Sequence, residues 1–324
     1  MSIKSTFSNW GSIAGITAGA LYGLVVRVLL YLDSGTKSDA GGGLFMVMTF
    51  GFLFLVPVTV GYLAVLPAPQ PSRLYQLFFP WIPCALILLV AALIGWEGSI
   101  CLYMGSPILF IMGSVGGLLG GRAALRSWTS MAAVLLVPWI VMPLDSKLPL
   151  PREIREVKTE TVIAAPAEVV WRNIVQVPEI RPEEHRPALF TAMGFPRPVS
   201  ATLDREGVGG LRHARFEKGV LFLETVTEWE KERRLAFTID AQTESIPATT
   251  LDPHVTIGGP FFDVLTGTYT IEPLPGGKLR LHLASRHRVS TRFNVYSGLW
   301  ADAIMRSIQN NILDVIRRRC ETEA

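Results

Sequence analysis

Residues 278–289 read KLRLHLASRHRV and residues 293–320 read FNVYSGLWADAIMRSIQNNILDVIRRRC. In the first stretch Leu279, Leu281, Leu283, Ser285, His287 and Val289 alternate with Lys278, Arg280, His282, Arg286 and Arg288, the period-two pattern of a strand with one buried and one wet face. The second stretch contains no proline. Its Phe293, Trp300, Ile304, Ile308, Ile312 and Val315 form an apolar stripe at helical spacing, about 42 Å long at the standard rise. Thr291 is a candidate N-cap, and Arg317, Arg318 and Arg319 stand where the helix dipole favours cations. A strand that buries leucines needs a cover, and this helix supplies one.

Upstream of this pair, strand-like segments at 198–204, 211–216, 220–229, 234–240 and 262–273 are joined by turn signals such as Glu206-Gly207, Lys218-Gly219 and Pro275-Gly276-Gly277. Before them, a strand signal at 157–164 leads into a helix opened by Pro166 and carrying Val169, Val170, Ile174 and Val177. These elements predict an antiparallel meander wrapped around a long C-terminal helix, an α+β helix-grip domain over residues 155–324. A proline-bearing linker, residues 145–154, precedes it.

The first 144 residues have a different composition. They hold six Lys/Arg and three Asp/Glu, against twenty-four of each in residues 145–324, so the net charge of +3 arises entirely in the first part. Across all 324 residues 49% of side chains are hydrophobic and only 18% charged, below the quarter usual in soluble proteins. Five apolar stretches, 11–32, 43–66, 76–96, 98–121 and 127–144, qualify or nearly qualify as bilayer spans, the last being short. Residues 1–144 therefore read as a multi-pass α-helical membrane domain of about five helices. The opening stretch is longer than a cleavable signal core and is followed by further spans.

Gly11, Gly15, Gly19 and Gly23 recur every four residues, as do Gly113 with Gly117, Gly116 with Gly120 and Gly117 with Gly121. Such stripes let backbones approach closely, within the chain or against a partner's spans. Pro57, Pro83, Pro107 and Pro138 are expected to kink their helices. Arg27 is expected to snorkel toward the headgroups, and Glu97 to lie at an interfacial turn. Basic residues do not settle the orientation: Lys4, Arg73, Arg122 and Arg126 fall on one side, Lys37, Lys147, Arg152, Arg155 and Lys158 on the other. Cys84, Cys101 and Cys320 form no disulfide framework, which leans toward a cytoplasmic soluble domain.

Segments TVIAAPAEVVW (161–171), GVGGLRHARFEKG (207–219), TEWEKERRLAF (227–237) and SRHRVSTRFNVYSGLW (285–300) resemble the START-like superfamily, also labelled SRPBCC or polyketide cyclase/dehydrase, and more narrowly its membrane-attached bacterial members. The resemblance covers roughly residues 155–320. It implies a deep apolar cavity between sheet and helix for lipids, sterols, polyketides or other hydrophobic molecules. Carriers, cyclases and hydrolytic enzymes all occur in that superfamily, so enzyme status does not follow from it.

Candidate site residues follow from the alternation. His287 falls among leucines on the covered face, where it either orients a ligand or acts as a base, or is a satisfied core histidine. Glu224 shares a face with Phe222 and Val226 and invites a partner such as Arg215 or His213; a plain cross-strand ion pair is the alternative. Asn294 and Tyr296 begin the long helix, where they can bond a ligand head group, although Asn294 suits a helix start equally well. Trp229, Tyr269 and Trp300 are lining candidates or core. An enzymatic reading makes His287 and Glu224 an acid/base pair and requires them to converge on one point. The loop at 241–260 is long enough for a gate over the cavity or a simple excursion.

No standard catalytic, nucleotide or zinc motif is present, and there is no basic run beyond the three C-terminal arginines. The sequence therefore predicts no cofactor, no metal and no nucleic-acid partner. Its expected partners are membrane lipids or a hydrophobic small molecule, and helices docking on the glycine stripe. The function so read is a membrane-anchored module that delivers or senses a lipid-like ligand, against an enzyme on a hydrophobic substrate or a membrane assembly protein.

Overall fold

The computed structural model describes residues 10–34, 46–122, 125–242 and 255–323. The chain divides into two compact units, Met1–Leu150 and Pro151–Ala324.

In the first unit, α1 (Trp10–Ser34) is followed by a π-helical turn, Gly51–Leu55, that runs into α2 (Val56–Val65). Then come α3 (Arg73–Phe78), α4 (Trp81–Ile94), α5 (Ser99–Gly120) and α6 (Trp128–Ser146). Four of the five expected spans become helices long and apolar enough to cross a membrane: Trp10–Leu32, Arg73–Ile94, Ser99–Gly120 and Trp128–Ser146. The second forms a shorter apolar helix, Gly51–Val65.

Three of the four prolines expected to kink lie within helices. Pro57 follows the π-helical turn inside the apolar helix Gly51–Val65, whereas Pro83 lies in the first turn of α4. Pro107 and Pro138 are inside α5 and α6. Gly95, with φ of +73°, ends α4 in the left-handed conformation that glycine adopts without strain.

Glycine spacing is used within the chain. A Cβ added at Gly15 would lie 2.2 Å from the Ala64 carbonyl oxygen, and one at Gly19 would lie 2.7 Å from that of Val60. The stripe of α1 is thus filled by α2, so Gly15 and Gly19 offer no free face to another protein's span. On the other side of α2, Gly61 and Gly116 sit equally close to the backbone of α5 and α2 respectively.

Arg27 of α1 reaches the turn between α4 and α5. It is 5% exposed, donates from Nε to Glu97 at 2.9 Å and from Nη2 to the Trp96 carbonyl at 3.2 Å, and lies over the Trp96 ring. Pairing with Glu97 offsets the cost of holding either charge among apolar helices.

The second unit begins with β1 (Glu153–Ile163) and α7 (Ala167–Val175), followed by the short α8 (Leu189–Ala192). The meander is β2 (Pro198–Leu203), β3 (Leu211–Phe216), β4 (Leu221–Glu230), β5 (Arg234–Ala241), β6 (Phe262–Pro273) and β7 (Leu279–Val289); α9 (Asn294–Glu323) closes the unit. The strand order is β1-β7-β6-β5-β4-β3-β2, with every pair antiparallel. β1 starts four residues earlier than its sequence signal, because Glu153 to Val157 continue the ladder against β7. Register shifts at Val226/Glu228 and Val264/Thr266 mark bulges, which help a sheet to curl.

On β7 Leu279, Leu281, Leu283, Ser285, His287 and Val289 are buried, as the alternation requires. α9 covers that face with Ala301, Ile304, Met305, Gln309, Leu313, Ile316 and Cys320. Gln309, 1% exposed, pins helix to sheet: its Nε2 donates to the Ser285 hydroxyl at 2.9 Å and the Val157 carbonyl at 3.2 Å, and its Oε1 accepts from Thr159 at 3.0 Å.

Candidate functional site

Apolar side chains between sheet and helix fall into three groups rather than one. A large group joins Ile163, Trp171, Ile174, Leu281, Leu313 and Ile316; a second joins Val177, Ala214, Phe222 and Val315; a third joins Val157, Val264 and Met305. All three touch Ile239, on the covered face of β5, yet Ile239 is itself only partly buried. Ile239 is thus incompletely covered at the point where the three groups meet, although close-packed interiors bury most central residues. Ile257, shared by the second and third groups, is also only partly buried.

Polar clusters stand on both sides of Ile239. On one side Glu224 is opposite Ile239 on β4 and opposite Arg212 on β3. Arg212 is 4% exposed and Glu224 6%, and the guanidinium Nη1 donates to the Glu224 carboxylate. Nη2 reaches the Ile174 carbonyl at 3.3 Å, and the guanidinium lies 5.5 Å from the centre of the Phe237 ring. Tyr269 is a neighbour of Arg212, and burial pushes its phenol up to about 12. Burial pushes the Glu224 carboxyl up, against the pull of Arg212. Arg212 Nε is buried with no hydrogen-bond partner.

His287 anchors the other cluster. It is 0% exposed, in register between Arg155 of β1 and Val264 of β6, with the Phe262 ring 5.7 Å away. Its Nε2 is 3.2 Å from Asp302 Oδ1 on α9, but out of line for a hydrogen bond, so Asp302 is its charged neighbour and neither ring nitrogen makes a hydrogen bond. Asp302 is held instead by Arg155, whose Nε and Nη2 donate to its two oxygens at 3.0 and 2.6 Å while Nη1 donates to Glu153. Gly298 makes room for this fork, since a Cβ there would be 2.8 Å from Arg155 Cζ.

Burial holds the His287 pKa below its ordinary value, with Asp302 pulling the other way. The hydrogen bond from Arg155 holds the Asp302 carboxyl below the usual carboxylate range. Because the folded His287 resists protonation, the unfolded chain takes up its proton first as pH falls below about 6.5. Its stabilising contribution is complete above that pH and is lost as the solution is acidified through the folded value. Asp302 also stabilises above its unfolded pKa, but loses that contribution only below about 4. Protection factors at β7 in the full chain, which correct for the intrinsic pH dependence of amide exchange, should therefore fall between about pH 7.5 and pH 5.5, and His287→Gln should flatten that dependence. An unchanged slope in the variant would remove His287 from the account.

The structure redistributes the expected site residues. His213 is not the partner of Glu224: it is opposite Leu223 and Thr202, on the other face of β3 from Arg212, as is the exposed Arg215. Glu224 and His287 do not converge. They lie on β4 and β7, three ladders and on the order of 14 Å apart along the sheet, each with its own partners. Trp229, beyond the β4 bulge, packs edge-on to Trp171 of α7 with ring centroids 5.0 Å apart, and Tyr269 is a core residue at 2% exposure.

Asn294 is a turn residue: its Oδ1 accepts from the Thr291 N–H at 2.6 Å, and Thr291 is not the N-cap of a helix that begins at Asn294. Tyr296 and Trp300 join Phe190 and Phe195 in an aromatic group at the start of α9. Leu189, Val295 and Leu299 beside them in sequence are largely exposed. The expected gate at 241–260 lies mostly outside the described residues. Among the described residues no group of three or more His, Cys, Asp or Glu is placed to hold a metal ion.

Sequence reading missed Arg212, Arg155 and Asp302. In LRHARF (211–216) both faces carry one basic and two other residues, so alternation alone does not say which is covered.

A curled seven-stranded antiparallel sheet with a long C-terminal helix across it is a helix-grip fold, the START-like architecture that the sequence resemblance implies. No family model matches the chain, and no curated protein matches it. Among solved structures the chain is similar to a START superfamily protein from Mycobacterium smegmatis, at 11% identity over 52% of this chain and 99% of that one, with a TM-score of 0.36. It is also similar to the Zhui aromatase/cyclase from Streptomyces sp. R1128, at 16% identity over 53% of this chain and 96% of the other, with a TM-score of 0.33. DynU16, a protein in the dynemicin biosynthetic locus, is 16% identical over 52% of this chain, with a TM-score of 0.32; the match spans 48% of the DynU16 chain, about half its length.

Proposed function

We propose that this chain is a membrane-anchored binding module whose second unit holds a lipid-like molecule between sheet and α9, taking it from or delivering it to the bilayer. The observation that carries this reading is Ile239: three apolar groups meet on it and leave it partly open, so an apolar guest would complete the interior.

Four membrane-length helices in the first unit provide the anchor. Only six residues separate the end of α6 from β1, which keeps the local concentration of bilayer lipid high around the second unit. The exposed Leu189, Val295 and Leu299 are suited to contact with lipid. In this reading the second unit lies on the cytoplasmic side of a bacterial plasma membrane, a side that the free cysteines favour. Separation of Glu224 from His287 favours binding over acid/base catalysis by that pair.

Native mass spectrometry of the full chain released from bilayer nanodiscs tests the reading. Wild type should retain one apolar molecule at near-stoichiometric occupancy after the annular lipid has been stripped, and Ile239→Trp, which fills the space, should retain at least about tenfold less. Equal retention by the two proteins would place the bound lipid elsewhere and sink the proposal.

A further inference from the structure

The exposed row of α9 changes character along the helix. Val295 is 82% and Leu299 63% exposed, and Ala303 continues their row; further on, the exposed positions at helical spacing are Arg306 and Asn310. Leu189 of α8, 71% exposed, adds to the apolar end, where the neighbouring Phe190 ring lies 6.2 Å from that of Trp300. Water rewards no such change from apolar to polar along one row, so the two halves of α9 are fitted to different surroundings.

The apolar end is also the end that the chain keeps nearest to the membrane-length helices. Arg155, the third residue of β1, bonds Asp302 and fills the space beside Gly298, so the first turns of α9 pack on the start of β1. Residues 147–152 join α6 to β1, and seven steps of chain place Glu153 at most about 25 Å from the end of α6. α9 itself, 30 residues long, carries its polar end about 45 Å away from its first turn. Lys147 and Arg152 on the link are exposed, and their charge suits anionic headgroups.

We infer that the start of α9 docks on the bilayer surface, with Val295, Leu299 and Leu189 in the headgroup region and Lys147 and Arg152 on lipid phosphates. This rests on the membrane anchoring in the reading above and not on a bound guest; it adds the face by which the second unit meets lipid. Lipid is the occupant because the link supplies it to this end in every copy of the chain, and because the apolar side chains and the exposed cations match its two layers.

The test uses the full chain in nanodiscs of mixed phosphatidylethanolamine and phosphatidylglycerol, doped with a phospholipid that carries a diazirine near its headgroup. Labelling of peptide 293–303 is compared in the same sample with that of peptide 204–216. The latter holds Val208, 66% exposed in the β2–β3 turn, which the ladders place at the other end of the strands from the start of β1. In wild type the first peptide should be labelled at least about tenfold more than the second, and Val295→Gln/Leu299→Gln should lower its labelling at least about fivefold. Both side chains are exposed, so the variant keeps its fold, which unchanged hydrogen exchange at β7 verifies.

Labelling of α1 and α5 with none at 293–303 would overturn the inference and leave the anchoring reading standing. If α1 and α5 also stay unlabelled, both fall. Protection of 293–303 from exchange without labelling would mean that a protein surface covers this face, which overturns the inference as well. Equal labelling of the two second-unit peptides, or labelling indifferent to the double substitution, would do the same, because lipid contact would then not depend on these side chains.

Discussion

Gly61→Leu and Gly116→Leu, made separately, are each expected to abolish the folded first unit, whereas Gly105→Leu leaves it intact. A Cβ at Gly61 would lie 1.9 Å from the Gly113 carbonyl oxygen, and one at Gly116 would lie 1.9 Å from that of Val58. Both obstacles are backbone atoms of packed helices, so no rotamer relieves them, and α2 and α5 must separate. Loss of this contact and of the α1–α2 packing around it costs about 3 kcal/mol or more. At Gly105 nothing lies within 4 Å, so the same side chain meets open space. Size-exclusion elution in detergent and protease resistance of the 51–120 segment report the outcome. Wild-type behaviour of Gly61→Leu and Gly116→Leu would show that these helices do not meet as described.

Glu224→Leu should lower the unfolding temperature of the second unit by about 10 °C, while Arg212→Met/Glu224→Leu recovers most of that loss. The single substitution strands a guanidinium that is 4% exposed, at a cost of about 3–5 kcal/mol. The double substitution removes both charges and leaves an apolar pair of similar bulk, which replaces a buried ion pair at little net cost. Tyr269 loses its charged neighbour in the double variant, so recovery is incomplete. Exchange at β3 and β4 peptides, followed against temperature in the full chain, reads the second unit separately from the first. A double variant no more stable than Glu224→Leu would mean that the pair itself, and not the stranded charge, sets the stability.

The two clusters differ in how far they could be read in advance. Glu224 and His287 each carry an unambiguous alternation: Phe222 and Val226 flank the one, Leu283, Ser285 and Val289 accompany the other, and both are indeed buried. Their partners carried no such signal. Arg212 sits in a strand whose two faces have similar composition, and its assignment depends on Glu224 being directly opposite in the ladder. Asp302 belongs to a helix and Arg155 to a strand 147 residues earlier; nothing local in either segment marks their contact. Asn294 and Tyr296 were legible as the start of α9, but the side chain of Asn294 is used by its own turn.

In the first unit, apolar length announced helices and glycine spacing announced close contact, because both are properties of a single segment. Which helix fills a glycine stripe is decided by the pairing of segments far apart in the chain, and α2 takes the stripe of α1. Arg27 and Glu97 illustrate the same division: each was recognisable as a charge near a span end, and only the fold brings them to 2.9 Å.

The sequence by itself determined the division of the chain into an apolar part and a charge-balanced one, the six strands that follow α7, the covered face of β7 and the long helix that covers it. All of these rest on local periodicity, which backbone geometry translates directly into faces. Tertiary structure alone decided which charges neutralise one another, which glycines meet which backbones, and which residue of the covered face stays partly open. Those depend on register and on close packing between segments distant in the chain, where a shift of one residue exchanges the two faces of a strand.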